Sequence, residues 1–330
     1  MTAARHRPSR RAVLAGGLGL AAAAAIGAGG YELVQDGTLP GRYKLARLTG
    51  ACELAPAPLA GPLPSRHQVS FHSAYRRRDV QMVTLIPAAA ASPAGLGVVI
   101  ALHGSGGSPA TLAPQLARAM SRARVSRFAI ICVDGGETYW HRRAGGDDPA
   151  GMIVHEVLPR AAAAGMHTGR IGIVGLSMGG YGALLIAEQF SAEQPSTFRF
   201  RTKQGTEELE AAGEPGGPAV AAVATLSPAV FATYGDARAA NPEAFDSAAD
   251  FTRNDVVSGL STLRRVPAFI ACGTDDPFQP EVALVRSRLA ALTHHPVPGG
   301  IMPGCHDSTF WARHWPAALE FVGAHQSPGS

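Results

Sequence analysis

The feature that most constrains this chain is a series of short apolar runs separated by helix-length segments. Residues 96–102 read Leu-Gly-Val-Val-Ile-Ala-Leu, and residues 128–133 read Phe-Ala-Ile-Ile-Cys-Val. Neither run alternates apolar with polar. A strand of that kind must be covered on both faces, as in the interior of a parallel sheet. Residues 171–174, 220–226 and 268–272 supply further runs, and helical segments are expected at 110–123, 153–164 and 179–190. Strand and helix in alternation predict an α/β architecture, a mostly parallel central sheet with helices on both faces. Ahead of it, residues 68–71 and 80–86 read as a hairpin around Arg76, Arg77, Arg78 and Asp79. Two irregular stretches, the polar 191–218 and the mixed 229–262, read as surface loops or a cap.

The N-terminus has a different character. Residues 1–30 hold Arg5, Arg7, Arg10 and Arg11 and no acid, and then run uncharged and Ala/Gly-rich from Ala12 to Gly30. Basic, then apolar, then polar is the layout of an export signal, and Arg10-Arg11 resembles a twin-arginine signal read by the export machinery of that route. No Ala-x-Ala site precedes Tyr31, so an uncleaved membrane anchor is the alternative. Residues 31–66 are Pro-rich and read as a tether, because Pro fixes φ and removes donors. The catalytic domain is expected at 67–330.

The charge balance agrees with this division. The chain carries 29 basic and 25 acidic residues; without the four N-terminal arginines, 25 stand against 25. The excess therefore belongs to the signal, and no basic face for nucleic acid is expected. Four cysteines suit an oxidising compartment, with Cys272 and Cys305 one candidate pair because both fall near strand ends. Their spacing offers no metal site.

Chemistry is carried by residues 175–179, Gly-Leu-Ser-Met-Gly. In a chain with 39 glycines the pentad alone says little. Its context says more, since an apolar strand runs into Ser177 and a small-residue helix leaves it. A sharp strand-to-helix turn lifts a serine hydroxyl clear of the sheet, and the helix N-terminus points its amides at a developing oxyanion.

Serine needs a base, and the base needs an orienting acid. The run Phe-Ile-Ala-Cys-Gly (269–273) leads into Thr274, Asp275 and Asp276. Asp276 is preferred over Asp275, because Gly-x-x-Asp after this strand is the usual placement in such a fold. His306 follows, in the loop Gly-Cys-His-Asp (304–307). Among the twelve histidines, His294 and His295 fall at a helix end, His314 lies in the last helix, and His141 precedes Ser177 and breaks the order.

Two amides are needed for the oxyanion. Met178 N–H is one. The run Leu-His-Gly-Ser-Gly-Gly (102–107) follows a buried strand and supplies the other, Ser105 N–H or alternatively Gly104 N–H. His103 is expected beside the substrate as a support for this loop. Tyr139 and Trp140, in the segment after residue 133, either line the substrate pocket or pack as an aromatic corner.

With these residues in place, the chain resembles the esterase D family, which includes S-formylglutathione hydrolases, feruloyl esterases and the antigen 85 mycolyltransferases. The resemblance lies in residues 175–184 around Ser177, in 273–278 around Asp276, and in 304–306 with Trp311 after them, and it spans roughly residues 67–325. It implies an α/β-hydrolase fold and acyl-ester hydrolysis or acyl transfer through an acyl-enzyme, with no metal or organic cofactor. The signal, tether and Ala-rich composition resemble the exported actinobacterial type. The polar 191–218 segment has no counterpart in that pattern, so substrate preference does not carry over.

Three functions therefore compete. The first is an exported serine esterase acting on small-molecule, lipid or glycan esters. The second is a cell-envelope acyltransferase using the same site. The third is a non-enzymatic envelope protein built on a hydrolase scaffold.

Overall fold

A computed structural model describes Cys52 and residues 61–192, 198–202, 205–209 and 218–326. The chain divides into two compact units, Met1–Glu53 and Leu54–Ser330, and the architecture below is that of the second. The expected signal at 1–30 and most of the 31–66 tether lie outside the described residues. Among the described residues, no helix is long and apolar enough to cross a membrane.

Eight strands form one sheet in the order β1-β2-β4-β3-β5-β8-β9-β10. The hairpin β1 (Ser65–Ser73) and β2 (Arg78–Ile86) is antiparallel, and β2 also runs antiparallel to β4 (Phe128–Val133). From β4 onward every pairing is parallel, through β3 (Gly97–Leu102), β5 (His167–Leu176), β8 (Ala219–Leu226), β9 (Ala268–Gly273) and β10 (Gly299–Met302). The chain has the α/β-hydrolase fold.

The apolar runs are explained by two cores, one on each face. Val98, Ile100 and Leu102 of β3 point into one, and Val99 and Ala101 into the other. Helix α1 (Pro109–Arg122) covers the second face with Leu112, Leu116 and Met120. A bent helical stretch covers the first: α2 (Pro149–Met152), a π-helical turn (Ile153–Val157) and α3 (Leu158–Ala163). Helix α4 (Met178–Ala192) is buried along most of its length, which its uniformly apolar composition requires. Short helices α5 (Tyr234–Ala240), α6 (Ala248–Arg253) and α7 (Val256–Gly259) fill the stretch after β8. Helix α8 (Gln279–Thr293) follows β9, and α9 (Ser308–His325) closes the second face with Phe310, Trp315, Leu319 and Val322.

Register decides where chemistry can happen. Leu102 pairs with Val133 and Gly175, Leu176 with Leu226, Leu226 with Ala271, and Gly273 with Met302. The carboxyl ends of six strands thus line up along one edge, where ligands bind in open α/β sheets.

Two elements depart from expectation. The 191–218 segment, read as a loop or cap, contains an antiparallel ribbon of β6 (Phe198–Thr202) and β7 (Gly205–Leu209). Strand β10 arises from a Gly-Gly-Ile-Met sequence beside prolines, outside the apolar runs read as strands; Arg286 of α8 donates to Pro298 O at 3.0 Å and to Ile270 O, joining the entrance of β10 to β9.

Candidate active site

Ser177 stands between β5 and α4 with φ +53°, a left-handed conformation that non-glycine residues rarely adopt. The glycines of the pentad make the turn possible. A Cβ on Gly175 would lie 2.0 Å from Gly179 O, and one on Gly179 would lie 2.0 Å from Leu102 O. The backbone of Ser177 is tied on both sides, its N–H donating to Leu226 O at 3.0 Å and its carbonyl accepting from Ala229 N at 3.0 Å.

His306 meets both partners. Its Nε2 lies 2.9 Å from Ser177 Oγ and its Nδ1 lies 2.9 Å from Asp276 Oδ2. The ring is held edge-on between Phe278 and Trp311, each with its centroid 5.2 Å away. Next in sequence, Asp307 caps α9, accepting from Thr309 N and Phe310 N at 3.0 Å. His306 therefore sits immediately before the N-cap of this helix.

Asp276 is buried, and Phe278 N–H donates to its Oδ1 at 2.9 Å. Burial pushes its carboxyl up. The hydrogen bond and charge of His306, with smaller contributions from Ser227 and the Phe278 amide, outweigh that and hold it below the ordinary carboxylate value. Of the two candidate acids, Asp276 is the one facing His306. Asp275 instead accepts from Thr274 Oγ1 at 3.0 Å and donates its amide to Gly304 O at 3.0 Å. Thr274 N–H reaches Met302 O at 2.8 Å, so the ends of β9 and β10 hold the acid and base loops together.

On the other side of Ser177 lies the Gly-rich loop. His103 is buried beneath it, with Nδ1 2.8 Å from Gly104 O and Nε2 accepting from Gly135 N–H at 3.0 Å. Two backbone partners fix a neutral ring with its proton on Nδ1. The amide of Gly107 is engaged by Gly104 O at 3.0 Å, and the amide of Gly106 by Glu137 Oε1 at 2.7 Å. That leaves Ser105 and Gly104 as the loop amides for an oxyanion, beside Met178 in the first turn of α4.

Glu137 was not singled out in the sequence. It also accepts from Ser105 Oγ at 2.5 Å. The segment that carries it is anchored by the buried Arg76, which donates to Gly135 O at 3.1 Å, to Asp134 O and to Asp147. The strand-end run places Glu137 at the right sheet edge, but nothing in the sequence names its partner.

A cleft of about 380 Å³ opens over Ser177 and His306. Its walls are the Gly-rich loop with His103, then Thr111, Leu112 and Gln115 of α1, then Trp311. Tyr139 and Trp140 are not among them. They are 3% and 0% exposed, and Trp140 packs on Gly135 and Gly182 while its Nε1 donates to His103 O at 3.3 Å. The pocket role for these two is corrected to that of an aromatic corner, set by the need to fill space behind the loop. His141, out of order for a base, is buried with Nε2 3.0 Å from Asp250 Oδ2, away from the nucleophile's relay. The Cys272–Cys305 pairing is also corrected. Cys305 is disulfide-bonded, whereas Cys272 is a free, buried thiol.

No family model and no curated protein matches the sequence. Solved structures do. An S-formylglutathione hydrolase from Agrobacterium tumefaciens superposes with a TM-score of 0.61 at 15% identity, covering 83% of this chain and 99% of that one. A fluorophosphonate-binding serine hydrolase F from Staphylococcus aureus gives 0.58 at 18%, covering 79% and 99%. A ferulic acid esterase gives 0.56 at 17%, covering 80% and 99%. At such identities the likeness establishes the α/β-hydrolase fold.

Proposed function

We propose that this chain is a serine hydrolase that cleaves carboxylic esters through an acyl-enzyme on Ser177. One observation carries the reading: the relay from Ser177 Oγ through His306 to Asp276, with 2.9 Å at each link. His306 Nε2 accepts the Ser177 proton as the hydroxyl oxygen attacks the ester carbonyl. Asp276 stays ionised, keeps the imidazole oriented and stabilises its positive charge. The tetrahedral oxygen takes the amides of Met178 and Ser105, or Gly104 in place of Ser105. His306 then passes the proton to the leaving alcohol, the acyl group stays on Ser177, and a water activated by the same ring releases the acid. These proton transfers call on no metal or organic cofactor.

The esterases and serine hydrolases among the similar structures support the reaction class. The cleft supports a small ester. Its volume of about 380 Å³ stands at the low end of small-molecule sites. Transfer to an envelope alcohol through the same acyl-enzyme is the competing outcome. Export by the twin-arginine route rests on Arg10-Arg11 ahead of the uncharged run, and replacing both with Lys should retain the protein in the cytoplasm.

The test is a panel of chromogenic esters of increasing acyl length with wild type and Ser177→Ala. Turnover is expected to be best with short chains and to drop by about 10³-fold or more in the variant. Undiminished fluorophosphonate labelling of Ser177→Ala overturns the assignment. An added acceptor alcohol that diverts most product from free acid makes the chain a transferase.

A further inference from the structure

We propose that the amino-terminal edge of the sheet is a docking face for an anionic lipid surface. Arg124, Arg127, Arg170, Arg264 and Arg265 are the residues that take its phosphate headgroups.

Charge in this domain is segregated along the strands. Arg124 and Arg127 stand just before β4, Arg170 at the start of β5, and Arg264 and Arg265 just before β9. No aspartate or glutamate lies in residues 122–128, 159–171, 263–268 or 293–299, the segments that lead into the parallel strands β4, β5, β9 and β10. The segments that leave the carboxyl ends have the opposite balance. Acids outnumber Arg and Lys in 134–148, in 227–262 and in 274–278. The even total of charge beyond the N-terminal arginines conceals this arrangement, and a charged surface responds to the local field and not to the total.

The five arginines are available to a partner. Each is exposed, and among the described residues no carboxylate pairs with any of them. A guanidinium takes a phosphate through two parallel N–H bonds, which makes arginine the better residue for such a face than lysine. Two clefts, of about 470 and 350 Å³, share Arg264 and Arg265 in their walls. Ser261 and Thr262 border the first, and Thr293 and His295 the second, so further polar groups stand beside the two guanidinium groups.

The width of the array identifies the partner. The sheet places β4, β3, β5, β8 and β9 side by side, so Arg127 and Arg265 precede strands about 19 Å apart at ~4.8 Å per neighbour. One small anion cannot span that distance, whereas a field of headgroups matches it. A single-stranded nucleic acid calls for aromatic faces on which bases stack. The exposed large apolar side chains among the described residues are Leu63, Val69 and Leu284, and none is aromatic. Strands β3, β4 and β9 each run six residues, which puts the cleft over Ser177 about 20 Å from the docked edge at ~3.3 Å per residue. The cleft opens at the opposite edge, and the nucleophile works on the water side of the surface.

The experiment measures binding of the full chain to vesicles of phosphatidylcholine alone and of equal parts phosphatidylcholine and phosphatidylglycerol. Wild type should prefer the anionic vesicles and leave them as salt is raised. Arg264→Gln combined with Arg265→Gln should weaken that binding by about 10-fold or more, and adding the same change at Arg124, Arg127 and Arg170 should bring the loss to about 100-fold or more. Arg238→Gln combined with Arg313→Gln removes two exposed charges away from this edge and should cost less than about threefold. All these side chains are exposed, so the variants fold as wild type does. The N-terminal arginines are common to every variant, and their share cancels in the ratios. Fluorophosphonate labelling of Ser177 should run equally fast with and without saturating vesicles, because the cleft lies at the other edge. A five-arginine variant that binds anionic vesicles as tightly as wild type overturns the inference, and so does a control pair that loses as much. Labelling blocked by vesicles overturns the orientation. Tighter binding to soluble heparin than to the vesicles, lost with the same arginines, makes the partner a polymer and overturns the lipid assignment.

Discussion

Glu137 Oε2 accepts a hydrogen bond from Ser105 Oγ at 2.5 Å, so a carboxylate from the segment after β4 clamps the loop proposed to offer the oxyanion amides. The same carboxylate takes the Gly106 amide, which fixes the loop's direction on either side of the Ser105 peptide. Glycines give the loop its freedom, and Glu137 removes it again. Glu137→Ala should lower kcat by about tenfold, part of the cost of losing an oxyanion donor outright, with a smaller change in KM. Glu137→Gln keeps an acceptor for Ser105 and should retain most of the activity. Steady-state kinetics of both variants on one short ester make the check. Equal losses in the two would mean that the charge, and not the clamp, is what matters.

Asp275 and Asp276 are adjacent in sequence and differ in surroundings. Asp276 is buried against His306, and Asp275 is half-buried with its carboxylate on Thr274. Asp276→Asn replaces a charge that orients and stabilises the imidazolium with a neutral amide, and should cost about 10⁴-fold in kcat. Asp275→Asn should cost less than about threefold, because a half-exposed acid off the relay carries little of the transition-state charge. Parallel assays of the two variants at neutral pH decide the assignment.

The fold was legible because parallel sheets leave a strong mark. β3 and β4 are buried on both faces, and their uninterrupted apolar runs say so. The order of Ser177, Asp276 and His306 was legible because Ser177 and Asp276 follow apolar strand runs and His306 stands in a Gly-containing loop downstream of both. What the sequence could not convey was pairing across distance. Glu137 reaches back to Ser105, and Arg76 reaches forward to the 134–147 segment. None of these partners is near in sequence. Strand β10 was hidden because its glycines at φ +93° and +149° carry no β propensity, and it exists only through pairing with β9.

Trp140 shows how an aromatic at the right sheet edge can mislead. It could read as a pocket wall, yet it supports the site from behind. A Cβ on Gly135 would lie 2.5 Å from its ring and one on Gly182 2.3 Å from it, so the ring fills a space with no slack. Trp140→Ala should destabilise by about 3–5 kcal/mol through the cavity it leaves. Trp140→Phe should cost less but lose the bond to His103 O. Denaturant unfolding measures both. A Trp140→Ala protein that keeps its stability and changes only its acyl preference would restore the pocket reading.

Glu188 makes the last prediction, and here the sign of the pH dependence is decisive. It lies on α4, 5% exposed, with Oε1 unpartnered and the backbone of Gly259 packed so closely that a Cβ there would meet its Oε2 at 2.1 Å. Burial, with a smaller push from Asp255, raises its carboxyl from an ordinary value of 4.5 to about 9. The folded protein therefore holds a proton on Glu188 at neutral pH that the unfolded chain releases. Its contribution to stability is fully present below pH 4.5 and is lost as pH rises toward 9. Glu188→Gln keeps the shape and removes the titration. It should stabilise the protein by about 1–3 kcal/mol between neutral and alkaline pH, and the gain should vanish at acid pH, where the native side chain is protonated in both states. Tm measured across pH for the two proteins tests this. Parallel curves would mean that Glu188 titrates alike in the folded and unfolded chain, which its burial on α4 does not permit.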